Sequence, residues 1–182
     1  MTKGKIIYLE GVSSSGKSTL SRTLQSRLSE PYFWIAGDFL WYIAPPPGIF
    51  DNDVIFSKVE SATMNTVKLY SELGIGVIFD IVPVGKSYII EQFSKAFHEC
   101  PVLYVGVTCP LEELRRREKG RGDRRIGLSE SQIASMASQD EYDITVDTYA
   151  NSSEECADNI IKLLDYPEKF TAFNNFLLQR TE

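Results

Sequence analysis

The amino-acid sequence predicts an α/β fold in which helices cover both faces of a parallel sheet. Short β-rich runs alternate with stretches whose apolar residues recur every three or four positions, the pattern of strands joined by crossover helices. The chain has 182 residues, of which 43% are hydrophobic and 24% charged, a composition typical of a globular protein with its own core. We therefore expect residues 1–182 to form a single domain.

Five segments have the composition of strands. Each is rich in β-branched or aromatic residues and leads into a turn or a helix-like stretch. In chain order they are residues 5–10, 32–36, 75–80, 102–109 and 144–147. Five strands are enough for a small doubly wound sheet.

Helices are predicted between these strands. The clearest begins at Lys17, after which an apolar residue recurs every fourth position, at Leu20, Leu24 and Leu28. Similar spacing occurs before the third and fourth strands and after the fifth, in residues 59–70, 89–97 and 157–164. These helices would supply the layers on the two faces of the sheet.

Two further segments stand out. The run Pro45-Pro46-Pro47-Gly48 interrupts the chain after Ile43, and we expect it to form a loop over the functional site. Residues 166–182 are predicted to be a C-terminal helical extension, since apolar residues have helical spacing at Phe170, Phe173, Phe176 and Leu177.

Composition argues against several classes of protein. The longest apolar runs, such as residues 77–79, are far shorter than the roughly 20 residues of a membrane span. The first residues lack the apolar stretch and cleavage site of a signal peptide, so we expect a cytoplasmic protein. The three cysteines have no CxxC spacing, which predicts buried thiols rather than disulfides or a zinc site: Cys100, Cys109 and Cys156.

The distribution of charge is uneven. A net charge of −6 argues against a broad nucleic-acid surface, so a nucleic-acid partner is not expected. Residues 115–125, however, contain seven basic and two acidic residues, a local charge of +5. This basic block calls for its own explanation.

The strongest motif lies between the first strand and the first helix. It matches GxxxxGK[ST] and, with the next residue, comprises Gly11, Val12, Ser13, Ser14, Ser15, Gly16, Lys17, Ser18 and Thr19. In a phosphate loop of this kind the backbone N–H groups surround the phosphates, the lysine reaches the β- and γ-phosphates, and the Ser18 hydroxyl coordinates Mg²⁺. The alternative is a serine- and glycine-rich turn that merely begins a helix. The strand-to-helix position favours the phosphate loop and predicts the three-layer P-loop NTPase fold, with Lys17 as an exposed cation.

Two aspartates follow strands of the predicted sheet. Asp38 and Asp80 stand at the ends of the second and third strands, where the ligand crevice of an open α/β sheet lies. We expect Asp80 to hold Mg²⁺ directly or through water, and Asp38 to accept a proton from a hydroxyl acceptor. The alternative for each is a cap at the start of the next helix.

The basic block predicts a lid over about residues 115–130. Its second half, residues 119–124, mixes charge with two glycines, which suits a mobile flap better than a rigid helix. Arg121 and Arg124 would then close over a triphosphate and stabilise charge in the transition state. The alternative, a solvated helix face with intrahelical ion pairs, suits Arg115 and Arg116 better.

Several aromatic residues surround Asp38. Phe39, Trp41 and Tyr42 lie beyond the second strand, where they would either line a pocket for the acceptor or pack in the core. The single histidine, His98, is expected at the surface near a helix end, and one histidine cannot form a His-based catalytic triad or metal pair.

The sequence resembles the chloramphenicol phosphotransferase-like family of P-loop kinases, which is related to shikimate kinase and nucleoside monophosphate kinases. The resemblance extends from Lys5 to about Leu164. It rests on the phosphate loop and on a series of segments in the family's order: residues 102–107, Arg117-Glu118, Arg121-Gly122-Asp123-Arg124, Tyr142-Asp143 and Val146-Asp147-Thr148.

This resemblance implies ATP-dependent phosphorylation of a hydroxyl on a small molecule, with Asp38 at the family's base position. It also implies that Arg117, Arg121 and Arg124 are lid arginines and that Arg117 contacts the nucleotide. Residues 41–70 depart from the family's antibiotic-binding part, so the resemblance implies kinase chemistry without implying chloramphenicol as acceptor.

Two alternatives to a small-molecule kinase remain at this point. One is a kinase that acts on a nucleotide sugar or a nucleic-acid end. The other is a regulatory NTPase switch, which is disfavoured because the sequence has no NKxD-like guanine-reading motif.

Overall fold

A computed structural model of the protein describes residues 2–39, 53–82, 87–121, 125–135, 142–173 and 175. Five strands form one parallel sheet in the order β2-β3-β1-β4-β5. The strands are β1 (Ile6–Glu10), β2 (Tyr32–Ala36), β3 (Gly76–Ile81), β4 (Val102–Thr108) and β5 (Ile144–Asp147). The predicted fold class is confirmed, and each predicted strand agrees with the structure to within one residue at either end.

Helices within the described residues cover both faces of this sheet. They are α1 (Lys17–Arg27), α2 (Asp53–Glu72), α3 (Ser87–Phe97), α4 (Leu111–Arg121), α5 (Leu128–Ser135) and α6 (Ser153–Leu164), with a 3₁₀ turn at Pro167–Lys169. No helix among them combines the length and apolar character needed to cross a bilayer. The triple proline lies outside the described residues, so the loop predicted there stays a prediction.

The alternation of side chains along β1 divides the core into two layers. Ile7 and Leu9 face α1 and α6, where they pack in a cluster with Leu20, Leu24, Ala157 and Ile160. Ile6 and Tyr8 face α2 and α3, in a second cluster with Val67, Phe93 and Phe97. Since successive strand residues point to opposite faces, one strand of five residues anchors helices on both sides of the sheet.

The C-terminal segment packs into both layers of the core, with Phe170 in the first cluster and Ala172 and Phe173 in the second. Phe173 is 1% exposed, and its ring centroid lies 5.3 Å from those of both Tyr8 and Tyr104. Asp143 Oδ1 accepts hydrogen bonds from the backbone N–H groups of Thr171 and Ala172, at 2.8 and 2.9 Å. The C-terminal extension predicted for residues 166–182 thus packs into the hydrophobic core of the domain through this part. Phe176 and Leu177 lie outside the described residues.

The burial of Cys100 and Cys156 and the exposure of His98 agree with the predictions, but the burial of Cys109 does not. Cys100 and Cys156 are buried, Cys109 is only half-buried, and all three thiols are free. Cys109 directly follows β4, where the chain leaves the buried sheet, so its prediction as a buried thiol is wrong. His98 is exposed just beyond α3.

We expect Phe173→Ala to lower the free energy of unfolding by about 3–5 kcal/mol, because it leaves a cavity in an aromatic cluster. Urea denaturation followed by circular dichroism measures the change. Tyr149→Ala is a suitable control because Tyr149 is 62% exposed, and it should change stability by less than about 0.5 kcal/mol. Equal denaturation midpoints for the two variants would contradict the placement of Phe173 in the core.

Candidate active site

The phosphate loop connects the end of β1 to the start of α1, as predicted. Two of its positions require glycine. A Cβ atom at Gly11 would lie 2.4 Å from the Val107 carbonyl oxygen, and Gly16 has a φ of 97°, which L-residues rarely adopt. Ser14 also has a positive φ, 64°. The loop thus has the tight, irregular backbone that turns successive N–H groups toward an anion.

Lys17 is enclosed by this loop. Its side-chain Nζ donates hydrogen bonds to the carbonyl oxygens of Gly11, at 2.8 Å, and Val12, at 3.0 Å. It also lies 3.8 Å from Asp80 Oδ1, and the residue is only 6% exposed. The expectation of an exposed cation is wrong, because the carbonyls of the loop and the Asp80 carboxylate surround the ammonium group.

The structure brings together the two residues predicted to hold Mg²⁺. Asp80 is paired with Leu9 in the sheet, one strand from the phosphate loop, and the Ser18 hydroxyl donates to Asp80 Oδ2 at 3.0 Å. Burial raises the pKa of Asp80, while Lys17 and Ser18 act in the opposite direction. Asp80 lies within β3 and α3 begins only at Ser87, so the helix-cap alternative does not apply.

Asp38 lies in the turn after β2, on the wall of the same cavity. The Gly37 N–H donates to the Asp80 carbonyl oxygen at 2.7 Å, which ties this turn to β3. The charge of Asp38 is near enough to contribute to the raised pKa of Asp80. Phe39 is helical, so Asp38 directly precedes a helical residue and the helix-cap alternative stays open beside the proton-acceptor role.

A cavity of about 630 Å³ lies over the carboxyl ends of the strands. The phosphate loop and α4 line it. The turn after β2 and α2 also line it, through Asp38, Phe56, Glu60 and Thr63. Of the aromatic residues predicted near the acceptor, Phe39 is 51% exposed, and Trp41 and Tyr42 lie outside the described residues. Phe56 contributes an aromatic side chain that the sequence pattern did not identify.

The basic block is helical for most of its length. α4 continues to Arg121, so the flap predicted to begin at residue 119 is wrong for residues 119–121, while Gly122, Asp123 and Arg124 lie outside the described residues. Arg115 and Arg116 form the expected intrahelical pairs with Glu112 and Glu113, each at 2.6 Å. Arg116 and Arg121 also line the cavity.

Arg117 has an architectural role in the structure. Its guanidinium donates to Glu113 Oε1 at 2.8 Å, to the Ser14 carbonyl oxygen at 3.3 Å, and to the Thr148 hydroxyl and carbonyl oxygens, both at 3.0 Å. The Thr148 hydroxyl in turn donates to the Ser15 carbonyl oxygen at 2.6 Å. Arg117 therefore fastens α4 and the turn after β5 to the phosphate loop, and its predicted contact with a nucleotide stays a prediction.

Glu10 was not identified by sequence reasoning. This carboxylate ends β1, is 1% exposed, and accepts hydrogen bonds from the hydroxyl of Tyr104 and, at 3.1 Å, from that of Tyr142. Burial raises the pKa of Glu10 to about 7, although the two tyrosines and Lys17 oppose the shift. Its only signal in the sequence is a charged residue within a strand that is otherwise apolar or aromatic.

Gln132 is a second residue that the sequence did not reveal. It is 7% exposed, lies on α5 and accepts a hydrogen bond from the Ser13 N–H at 2.6 Å. No motif marks this glutamine, and Ser13 is far from it in the chain. The contact places α5 directly against the phosphate loop.

Residues 4–165 match the family model described as chloramphenicol phosphotransferase-like protein. The chain belongs to this family. It is a phosphotransferase of the P-loop kinase class that acts on a hydroxyl group.

Curated relatives of this phosphotransferase include a protein named "Putative O-phosphotransferase" from Mycobacterium tuberculosis. The two sequences are 29% identical over 182 aligned positions. The matched region covers 86% of this chain and 80% of the relative. The adenylyl-sulfate kinase of Clostridium acetobutylicum is 26% identical over 178 residues, covering 89% and 84% of the two chains.

Solved structures with the same fold include the Mycobacterium tuberculosis APS kinase CysC in complex with AMPPNP and APS. That structure has a TM-score of 0.71 and 17% identity, with 91% of this chain and 99% of the other covered. Shikimate kinase from Acinetobacter baumannii, in complex with shikimate, has a TM-score of 0.63 and 19% identity, with 90% and 94% covered.

The raised pKa of Glu10 makes the stability of this phosphotransferase depend on pH. The native pKa of about 7 exceeds the ordinary 4.5, so the native state binds the Glu10 proton more tightly than the unfolded state does. Stability from this group is complete below about pH 4.5 and is lost as the pH rises through 7, a change of roughly 3 kcal/mol.

Glu10→Gln should therefore gain stability relative to the parent as the pH rises from 5 to 8, since the amide cannot ionise. Urea unfolding at each pH measures the difference. Glu112→Gln is the matched control, because the Glu112 side chain is 84% exposed and should give a curve parallel to the parent. A Glu10→Gln curve that is also parallel would contradict the assigned pKa.

Proposed function

We propose that this phosphotransferase transfers the γ-phosphoryl group of ATP to a hydroxyl of a small molecule with the help of Mg²⁺. The observation that carries the proposal is that one cavity is lined by the phosphate loop, by the Ser18 and Asp80 pair, and by Asp38. We take residues 1–182 as one kinase domain acting in the cytosol.

The loop has the chemistry that a triphosphate requires. Lys17 supplies a positive charge, and the N-terminus of α1 begins at the same residue, so its backbone dipole favours an anion there. Ser14 lines the cavity, and its buried hydroxyl has no hydrogen-bond partner among the described residues. A phosphate oxygen would satisfy that hydroxyl. The fold is also that of an APS kinase solved with AMPPNP.

Ser18 and Asp80 are the residues that would hold Mg²⁺. A hydroxyl and a carboxylate are the oxygen ligands that this ion prefers. The described residues contain no group of three acidic, histidine or cysteine side chains that could hold a metal alone, which fits an ion completed by phosphate oxygens and water. When bound, Mg²⁺ would neutralise the negative charge that develops during transfer.

Asp38 is the proposed general base. It lines the same cavity as the phosphate loop, in the turn held against β3, where it can accept the proton of an acceptor hydroxyl as the oxygen attacks. Arg121, which also lines the cavity, and Arg124 after it in the chain would stabilise negative charge on the transferred group.

The acceptor side of the cavity has a distinct chemical character. Asp38 and Glu60 supply negative charge, and Phe56 supplies an aromatic surface. In the sequence, residues 28–67 contain one basic residue, Lys58, and five acidic residues: Glu30, Asp38, Asp51, Asp53 and Glu60. This balance favours a neutral or cationic acceptor with an apolar part, and it disfavours a nucleotide sugar or a nucleic-acid end.

The proposal is tested by measuring ATP consumption with and without hydroxyl compounds that are cationic, neutral or anionic, chloramphenicol among the neutral ones. Consumption should depend strongly on an acceptor, and neutral or cationic compounds should be preferred. Lys17→Ala should abolish it, since the variant lacks the phosphate-loop cation. Steady ATP hydrolysis that no acceptor increases would instead support a regulatory NTPase switch.

Asp38 and Asp80 should separate kinetically. Asp38→Asn should lower kcat by about 10²–10⁴-fold with little change in the KM for ATP, because it removes only the proton acceptor. Asp80→Asn should raise the Mg²⁺ concentration needed for half-maximal rate. Measuring the rate of both variants against Mg²⁺ concentration decides which aspartate accepts the proton and which holds Mg²⁺. If Asp38→Asn raised the Mg²⁺ requirement and Asp80→Asn only lowered kcat, the two roles would be reversed.

A further inference from the structure

The lid has a buried internal anchor at Glu118. This residue on α4 is 1% exposed, and its carboxylate accepts hydrogen bonds from two backbone N–H groups at the start of α5. The donors are Gly127, at 2.9 Å, and Ser129, at 2.6 Å. A carboxylate at a helix N-terminus satisfies amides that have no partner within the helix, so Glu118 sets where α5 begins relative to α4.

One turn along α5, Gln132 makes a second contact between this unit and the phosphate loop, in addition to that of Arg117 with Ser14. The Ser13 N–H donates to Gln132 Oε1 at 2.6 Å, and both residues are buried. A backbone N–H can only donate, so the side-chain oxygen must face it. The hydrogen bond is shielded from water, and its loss would leave a buried amide without its acceptor.

Arg121 lies between these two contacts in the chain. It lies three residues after Glu118, on the neighbouring turn of α4, and lines the cavity. Gly127, which Glu118 holds, follows Arg121 by six residues. The direction of Arg121 toward the cavity therefore depends on how the α4–α5 unit is held against the loop.

We propose that Gln132 and Glu118 are positioning residues that fasten the α4–α5 unit to the phosphate loop and so place Arg121 beside the transferred phosphoryl group. The inference rests on the proposed kinase function. Gln132 supplies the link to Ser13, and Glu118 supplies the rigidity of the unit. Neither residue needs to touch the substrate.

The exposed contact between the same helices has a different character. Arg115 on α4 pairs with Glu130 on α5 at 2.9 Å, with side chains that are 40% and 51% exposed. Surface ion pairs of this kind contribute little, because water screens them and both side chains lose freedom. Because Glu130 is on the same helix as Gln132, a change at Glu130 is a control for any substitution on α5.

The test compares Gln132→Leu in the full chain with two control variants, and adds Gln132→Glu as a conservative change. Gln132→Leu keeps the approximate size of the side chain but removes the acceptor for Ser13. Gln25→Leu makes the same change on α1, where Gln25 donates to the Tyr32 carbonyl oxygen at 2.9 Å, and Glu130→Gln removes the exposed lid contact. Melting temperatures, kcat and KM for ATP, and hydrogen exchange of residues 125–135 are measured for each.

Gln132→Leu should lower kcat by roughly ten- to a hundredfold, because a displaced Arg121 loses its alignment with the reacting atoms. Exchange of residues 128–135 should become faster even without nucleotide, and the melting temperature should fall a few degrees below those of the two controls, because the buried Ser13 N–H loses its acceptor. Gln132→Glu, which keeps an acceptor oxygen, should retain slow exchange but raise the KM for ATP, since it places a carboxylate beside the phosphate loop.

Unchanged kcat and exchange in Gln132→Leu would overturn the inference, as would an equal loss of kcat in Gln25→Leu or Glu130→Gln. If Gln132→Leu does not fold, Gln132→Asn is expected to have the same effect. Its side chain is one methylene shorter, so its oxygen cannot reach the Ser13 N–H. The exchange measurement needs no acceptor. A parent without acceptor-dependent turnover would therefore refute the proposed function, whereas unchanged exchange would refute the lid anchor.

Discussion

Each of the main contacts at the site depends on β1 lying between β3 and β4 in a parallel sheet. The phosphate loop leaves from the carboxyl end of this central strand, so the ends of both neighbouring strands reach it. Register places Asp80 beside Leu9 on one side and Gly106 beside Glu10 on the other. The outer strand β2 pairs with β3 and brings the turn containing Asp38 to the same edge.

This arrangement buries charge directly beneath the loop, and each charge has partners. Lys17 lies between two carbonyl oxygens and Asp80, while the Glu10 carboxylate accepts hydrogen bonds from two tyrosines. An unpartnered charge in such a place would be strongly destabilising. These polar contacts fix the loop in place without a ligand, which is what a preorganised site requires.

The cavity is lined by groups of both charges. In the proposed function, Lys17 and the arginines of α4 would serve the nucleotide, whereas Asp38, Glu60 and Phe56 would serve the acceptor. The first group lies on the phosphate loop and α4, and the second on α2 and the turn after β2. A shared family and fold therefore leave the identity of the acceptor to these few side chains.

The sequence by itself determined the strands, the principal helices, the phosphate loop and the placement of Asp38 and Asp80 at one edge of the sheet. These features follow from local periodicity and from the geometry of parallel strands, which a linear pattern records. The tertiary structure alone decided which distant side chains meet: Gln132 with Ser13, Tyr142 with Glu10, and Phe173 with Tyr8. It also decided that Lys17 is enclosed and that α4 extends to Arg121. Contacts of this kind join residues more than a hundred positions apart or depend on how neighbouring elements pack, so no local pattern in the chain encodes them.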